Sequence, residues 1–297
     1  MTSRTPAPFG RALCAMITPF TEAGALDLDG AQRLADHLVA EGCEGLVLSG
    51  TTGESPTTSD AEKSALVRAV ADAVGDRARI VAGVGSNDTR HTAELARAAE
   101  KAGAHGLLVV TPYYSKPPQD AVAAHFRTVA DASGLPVLLY DIPGRTGTRI
   151  EPDTILRLAD HPRIVGVKDC AYDILGSQKV ISRTELAYYA GCDEYNLALY
   201  AVGGAGHIST VANAIPRRLR AVLDAFDAGD TAGARGGQLA ATPLIELMMA
   251  SGLPGAVTAK ALLGTLGLPS GPVRAPLLPA AREATDGLRA AYEALSA

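Results

Sequence analysis

The feature that most constrains the fold is a regular alternation of short apolar, β-rich segments with longer segments rich in alanine and leucine. The strand candidates are residues 12–20, 45–50, 79–84, 106–114, 136–143, 164–169, 185–191 and 204–210. Their apolar runs lack a clean two-residue alternation, which is typical of parallel strands covered on both faces. Between them lie helix-like stretches such as 60–74, with acidic residues in its first turn, and 89–103, with Gly103 at the C-cap position.

Eight such βα units predict an α/β fold of the (β/α)8 TIM-barrel type with a helical C-terminal extension. We place the barrel at residues 1–227, closed by a helix over 214–227, and the extension, packed on the barrel, at residues 228–297. The length of 297 residues suits an α/β barrel folded as one unit. A doubly wound sheet is the alternative architecture, but no GxGxxG motif follows the first strand candidate.

Charge and composition exclude several classes of partner. The 27 basic and 32 acidic residues give a net charge of −5 with no basic stripe, which argues against nucleic acid. No apolar stretch is long and uniform enough to span a membrane, and the first ten residues lack the apolar core of a secretory signal. The cysteines match no CxxC or zinc spacing and are expected to be free thiols in a reducing compartment. We therefore expect a soluble, cytoplasmic protein.

In a TIM barrel, catalytic groups gather where the strands end and the βα loops begin. The second strand candidate ends in SGTTGES, the fourth in TPYYSKP, the fifth in LYDIPGRTG and the sixth at Lys168. These ends supply hydroxyl groups, one arginine and one lysine, without a cluster of histidines or carboxylates. They predict chemistry that needs neither a metal nor a cofactor.

Lys168 ends an apolar strand, which suggests a Schiff-base nucleophile. An ordinary lysine, with a pKa of ~10.4, is almost wholly charged at neutral pH, but an apolar barrel mouth lowers that pKa. The neutral amine can then attack a ketone, and Tyr140 on the preceding strand can carry the protons. The alternative is that Lys168 merely pairs with Asp169 at the rim. Strand alternation disfavours this, because neighbouring residues point to opposite faces.

Three other motifs each allow two interpretations. GTTGES can hold a carboxylate through its N–H groups and hydroxyls, or it can be a plain strand-to-helix turn. GGAGHIST can grip a phosphate or allow close packing of a helix on a strand, and packing is favoured because no second phosphate loop accompanies it. Arg145 presents a planar fork suited to a carboxylate, but spacing alone also allows a solvated loop charge.

Together, AMITPF, SGTTGES, TPYYSKP, LYDIPGRTG and IVGVKD resemble, in order and spacing, the dihydrodipicolinate synthase family. These are class I pyruvate-dependent aldolases of the N-acetylneuraminate lyase superfamily, built on (β/α)8 barrels, and the resemblance covers nearly the whole chain. It implies that Lys168 forms an imine with pyruvate and that Tyr140 is the proton donor and acceptor beside it. It also implies that Thr51 links Tyr140 to Tyr114, with Tyr114 lent by the neighbouring subunit of a tight dimer.

The resemblance further implies the substrate-binding residues. Thr52 would hold the pyruvate carboxylate, Ile208 and Gly191 would line the pocket, and Arg145 would bind the carboxylate of L-aspartate 4-semialdehyde. The enamine of pyruvate would attack that aldehyde. Cyclisation would release Lys168 and give 4-hydroxytetrahydrodipicolinate, on the route to diaminopimelate and lysine. The implied assembly is a homotetramer made of two tight dimers.

Cys192 departs from the family pattern, because the loop after the seventh strand usually has an acidic or amide residue there. This loop faces the second substrate in the family, so a sister aldolase acting on a sugar acid or a hydroxy-oxo acid is the alternative function. A catalytically silent barrel that binds a keto acid is disfavoured, since every catalytic candidate is present.

A second departure concerns feedback by lysine. Asp60, Lys63 and His91 occupy positions where lysine-sensitive members often carry two histidines and a glutamate. At close range Lys63 would repel the ammonium of a bound lysine. We therefore expect weak or absent feedback inhibition.

Overall fold

The apolar segments pair into one closed parallel barrel, in a computed structural model that describes residues 7–295. The strands are β1 (Ala12–Ala15), β2 (Gly45–Leu48), β3 (Arg79–Gly83), β4 (Gly106–Val110), β5 (Val137–Asp141), β6 (Ile164–Asp169), β7 (Ala187–Ala190) and β8 (Gly206–Ser209). Each strand pairs with its neighbours in sequence, and β8 closes on β1. The predicted (β/α)8 TIM barrel is confirmed.

Most strands are shorter than the apolar runs that predicted them. The first candidate, 12–20, is a strand only over Ala12–Ala15. Beyond it the Ile17 N–H donates to the Asn213 side chain at 3.0 Å, and the Phe20 N–H donates to the Ser270 carbonyl at 3.3 Å. The apolar residues that follow the strands therefore leave the ladder and build the barrel mouth.

Helices cover the outside of the barrel and continue into the C-terminal part. They are α1 (Leu28–Ala40), α2 (Asp60–Val74), α3 (Thr89–Lys101), α4 (Gln119–Asp131), α5 (Pro143–Thr146), α6 (Pro152–Leu158), α7 (Ile174–Ile181), α8 (Asn196–Ala201), α9 (Pro216–Asp227), α10 (Thr231–Ile245), α11 (Gly255–Thr265) and α12 (Arg282–Ala294). Helix α2 begins with a capping box in which Ser59 and Glu62 bond each other's backbone N–H groups. Its bounds are those predicted. None of the helices in the described chain is both long and apolar enough to cross a bilayer.

The apolar residues form two separate cores, one between strands and helices and one inside the barrel. Phe9 closes the inner core at the N-terminal end of the barrel. Its ring fills the space beside Gly106, because a Cβ added to this glycine would lie 2.3 Å from the ring. At the opposite end the inner core includes Tyr140, Cys170 and Cys192. The barrel is therefore sealed by hydrocarbon at one end and carries polar chemistry at the other.

The C-terminal helices pack on the barrel and reach loops at its mouth. Lys260 on α11 forms a buried ion pair with Glu54, in the loop after β2, at 2.6 Å. Gln238 on α10 donates to the Asp193 carbonyl, in the loop after β7, at 3.1 Å. The division of the chain at residues 227 and 228 stays a prediction, although α9 ends at Asp227. Residues 1–6 and 296–297, at the outer ends of the two predicted units, lie outside the described residues. Most of the ten-residue segment that was considered as a secretory signal therefore lies outside them too.

Candidate active site

Lys168 and Tyr140 lie side by side at the barrel mouth. They are register partners on β6 and β5 and are 5% and 4% exposed. The Lys168 Nζ atom lies 4.5 Å from the centre of the Tyr140 ring. Asp169 lies on the other face of β6, where its carboxylate accepts a 2.6 Å hydrogen bond from the Ser177 hydroxyl on α7. The Lys168–Asp169 rim pair considered from sequence is therefore not formed.

Burial sets the protonation of this pair. Desolvation lowers the pKa of Lys168 below its ordinary value, opposed by nearby Cys170, Cys192 and Asp193, which favour the charged form. Desolvation also raises the pKa of Tyr140 well above its ordinary value, opposed by a hydrogen bond with the Thr51 hydroxyl. The lysine is thus shifted towards the neutral amine, and the tyrosine is held as a neutral phenol.

Gly191 lies against the lysine, and Ile208 lies in the inner core of the barrel. A Cβ on Gly191 would lie 2.9 Å from Lys168 Cε and 2.5 Å from Cys170 Sγ, so any side chain there would displace one or both. Ile208 on β8 is fully buried in the same inner core as Tyr140. The structure therefore places Gly191 against the lysine and Ile208 in the inner core that includes Tyr140.

Thr51 and Thr52 lie in the loop after β2 and point to different partners. The Thr51 hydroxyl is near enough to the Tyr140 phenol to lower its pKa, against the larger effect of burial, which raises it. The buried Thr52 hydroxyl bonds the Thr210 hydroxyl, after β8, at 2.9 Å. Within the loop, the Ser55 N–H donates to the Gly50 carbonyl at 3.1 Å, which makes it a closed turn. The neighbouring hydroxyls of Thr51 and Thr52 therefore lie near different strands, β5 and β8.

The GGAGHIST segment is close-packed. A Cβ on Gly206 would lie 1.9 Å from the Arg11 carbonyl oxygen, and one on Gly204 would lie 2.7 Å from the Leu199 carbonyl oxygen. Main chain therefore occupies the space beside both glycines. This contact supports packing over a phosphate grip.

Arg145 and Tyr114 are exposed and are not joined to the buried pair. Arg145 lies on the short helix α5, and its guanidinium takes part in none of the ion pairs found among residues 7–295. Tyr114 is 89% exposed, with a φ of 75°, and no hydrogen bond joins its hydroxyl to Thr51 within the described chain. One copy of the chain thus assembles Lys168, Tyr140 and Thr51 but leaves Tyr114 outside.

The chain is similar to known proteins over nearly its whole length. Residues 8–295 match the model of the "Dihydrodipicolinate synthetase family". The chain belongs to that family. It is 77% identical over 291 residues to 4-hydroxy-tetrahydrodipicolinate synthase 1 of Streptomyces coelicolor, covering 98% of this chain and 95% of the relative. It is 58% identical over 288 residues to the synthase of Acidothermus cellulolyticus, covering 97% and 93%.

A solved family member has the same fold. The crystal structure of DHDPS from Cyanidioschyzon merolae with lysine bound superposes with a TM-score of 0.94 at 36% identity, covering 98% of this chain and 99% of that one. The resemblance read from the sequence motifs is confirmed.

Sequence reasoning did not single out two residues that lie at the barrel mouth of the present chain. Asp193 is fully buried and accepts hydrogen bonds from the Ser209 hydroxyl and, at 3.2 Å each, from the N–H groups of Thr210 and Val211. It ties the loop after β7 to the end of β8. Cys170 lies 4.0 Å from the Tyr140 hydroxyl. Only their contacts in the folded chain identify these two residues as part of the site, because a single Asp or Cys after a strand forms no recognisable sequence motif.

Proposed function

We propose that this chain is a class I aldolase-type lyase that condenses pyruvate with L-aspartate 4-semialdehyde to 4-hydroxytetrahydrodipicolinate. The observation that carries the proposal is the buried Lys168, with its pKa lowered by desolvation, in register with Tyr140. The names of the synthase relatives support the same reaction. The product would enter diaminopimelate and lysine biosynthesis.

The first half-reaction makes the imine. The neutral Lys168 amine attacks the ketone carbon of pyruvate, and the Tyr140 phenol donates the proton with which the carbinolamine oxygen leaves as water. The Thr51 hydroxyl stabilises the phenolate that this transfer leaves behind. The Tyr140 phenolate then removes a methyl proton, which gives the enamine, whose carbon is the nucleophile.

The second half-reaction joins the two substrates. We assign the pyruvate carboxylate to Thr52, with Ile208 and Gly191 lining the pocket, and the carboxylate of the semialdehyde to Arg145. The enamine carbon attacks the aldehyde, and Tyr140 returns a proton to the new oxygen. Attack of the substrate amine on the imine carbon closes the ring and releases Lys168. None of these steps requires a cofactor.

We also propose that the chain works as a homotetramer made of two tight dimers, in the cytoplasm. An aromatic side chain as exposed as Tyr114, beside the partly exposed Tyr113, supports contact with a partner subunit. In the assembly the partner would bring its own copy of this tyrosine towards Thr51. The free state of all four cysteines supports the reducing compartment.

Substitution of Arg145 tests the second substrate. Arg145→Ala removes a charge-assisted contact, so KM for L-aspartate 4-semialdehyde should rise by roughly 10- to 100-fold. Trapping of pyruvate on Lys168 by borohydride should be unchanged, and Arg145→Lys should recover part of the loss. Arg282→Ala, at an exposed position of α12, is the matched control.

The opposite outcome identifies a different acceptor. An Arg145→Ala enzyme with an unchanged KM, in a protein that still forms the pyruvate adduct, would contradict the synthase. It would favour a sister aldolase, and release of pyruvate from sugar acids or hydroxy-oxo acids would then identify it.

The surroundings of Lys63 predict insensitivity to lysine. Lys63 Nζ donates to the Thr58 carbonyl at 2.5 Å, and Asp60 is engaged with His91 at 2.8 Å. The ammonium of Lys63, which would repel a bound lysine, is thus held in place by a hydrogen bond. The Asp60 carboxylate, which would attract a bound lysine, is already paired with His91. Submillimolar L-lysine should leave the initial rate unchanged in the coupled assay. Inhibition in that range would contradict this prediction.

A further inference from the structure

Cys170 and Cys192 form a thiol pair beside the reactive lysine. Both follow the ends of neighbouring strands, because Asp169 on β6 and Ala190 on β7 are register partners. The Cys170 sulfur lies beside Gly191, the residue directly before Cys192, where a Cβ would come within 2.5 Å of it. They are 6% and 9% exposed, within the inner core that opens at the barrel mouth.

The two thiols are not equivalent. A hydrogen-bond interaction with Cys170 lowers the pKa of Cys192, and burial opposes this. The same interaction with Cys192 and burial both raise the pKa of Cys170 well above its ordinary value. The thiolate is therefore favoured on Cys192, which is also the more exposed of the two, and this makes Cys192 the nucleophile.

We propose that Cys170 and Cys192 are a peroxide-sensitive modification site, at which hydrogen peroxide or an organic peroxide joins them in a disulfide beside Lys168. The Cys192 thiolate attacks one peroxide oxygen, the O–O bond breaks, and hydroxide or alkoxide leaves, giving a sulfenic acid. Cys170 sulfur then attacks the Cys192 sulfur, gives up its proton, and releases water. With hydrogen peroxide, two thiols are oxidised to one disulfide and the peroxide is reduced to two waters.

Such a bond would disable the site directly. The Cys170 sulfur lies 4.0 Å from the Tyr140 hydroxyl and against the main chain of Gly191, which also faces the Lys168 side chain. Drawing this sulfur to bonding distance from Cys192, about 2.05 Å, removes it from the tyrosine and ties together the strand ends that flank the lysine. A pyruvate adduct on Lys168 occupies the same mouth, so substrate should protect the thiols.

The other two cysteines provide an internal control. Burial and the neighbouring Cys43 raise the pKa of Cys14 well above its ordinary value, and these two cysteines are 0% and 4% exposed in the core between strands and helices. Each of the two has a neighbouring thiol, but peroxide that enters through the barrel mouth does not reach them. Oxidation that depends on the mouth should spare them.

The experiment uses the reduced enzyme treated with hydrogen peroxide, quenched with an alkylating reagent and digested with trypsin. The cysteines fall on four separate tryptic peptides, residues 12–33, 34–63, 169–179 and 184–217. We expect a linked species of 169–179 and 184–217, two hydrogen atoms lighter than their sum, while the other two peptides stay alkylated. The fraction of activity lost should equal the fraction linked, dithiothreitol should reverse both, and pyruvate should slow both.

The variants separate the site from general oxidation damage. Cys192→Ser and Cys170→Ala, each compared with its own untreated rate, should give no linked species and no loss that dithiothreitol reverses. Linkage of Cys14 to Cys43, alkylated Cys170 and Cys192 in an inactivated enzyme, or linkage without loss of activity would each overturn the proposal. The peptide masses do not depend on the reaction catalysed, so failure here and failure of the proposed function are distinguishable.

Discussion

Replacement of Lys168 by alanine is expected to abolish both turnover and covalent capture of pyruvate. The amine is the only group in the proposed mechanism that bonds the substrate, so its loss should lower kcat by roughly 10⁴-fold or more. The readouts are the coupled assay with both substrates and the mass of the protein after borohydride treatment with pyruvate. Lys101→Ala, at an exposed position of α3, should match the wild type in both.

The protein contains a second buried lysine that sharpens this test. Burial lowers the pKa of Lys260 too, but its hydrogen bond with Glu54 opposes the shift and occupies its ammonium. Borohydride should therefore mark Lys168 and leave Lys260 unmodified. Because burial lowers the pKa of Lys168, the rate of trapping should rise with pH and level off at a lower pH than for an ordinary lysine. An adduct that persists in Lys168→Ala would place the nucleophile elsewhere.

Lys260→Met is expected to give the largest loss of stability. The Lys260 and Glu54 side chains are 3% and 1% exposed, so removal of the cation leaves a buried carboxylate without its counterion. Such a loss costs about 3–5 kcal/mol of the free energy of unfolding. The Arg274 N–H, which donates to Glu54 at 2.9 Å, remains as a partner and offsets part of it. Urea denaturation measures the difference.

The double variant and an exposed pair supply the controls. Lys260→Met combined with Glu54→Gln removes the unpaired charge and should recover much of the stability. Arg282→Met breaks the exposed pair with Asp286, at 3.6 Å, and should cost less than about 1 kcal/mol. Because Glu54 follows Thr51 and Thr52 in one loop, Lys260→Met should also lower the activity of the folded protein. Equal costs for Lys260→Met and Arg282→Met would contradict the role of the buried pair.

Local patterns predicted the parts of this protein that local forces decide. The interval 60–74 is a helix with those bounds because Ser59 and Glu62 cap it from three residues apart. The interval 164–169 is a strand with those bounds. The inward direction of Lys168 followed from the alternation of side chains along a strand. Successive residues point to opposite faces, so Lys168 faces the barrel interior because Asp169 faces a helix.

The sequence by itself determined the barrel, the family and the groups at the strand ends, because periodicity and short motifs lie within a few residues of each other. Only the tertiary structure decided which side chains meet. It pairs Cys170 with Cys192, buries Asp193 against the end of β8, and brings Arg274 to Glu54 across 220 residues of chain. Such contacts depend on closure of the whole barrel and on packing of the C-terminal helices against it, and no local pattern encodes the distance between segments so far apart.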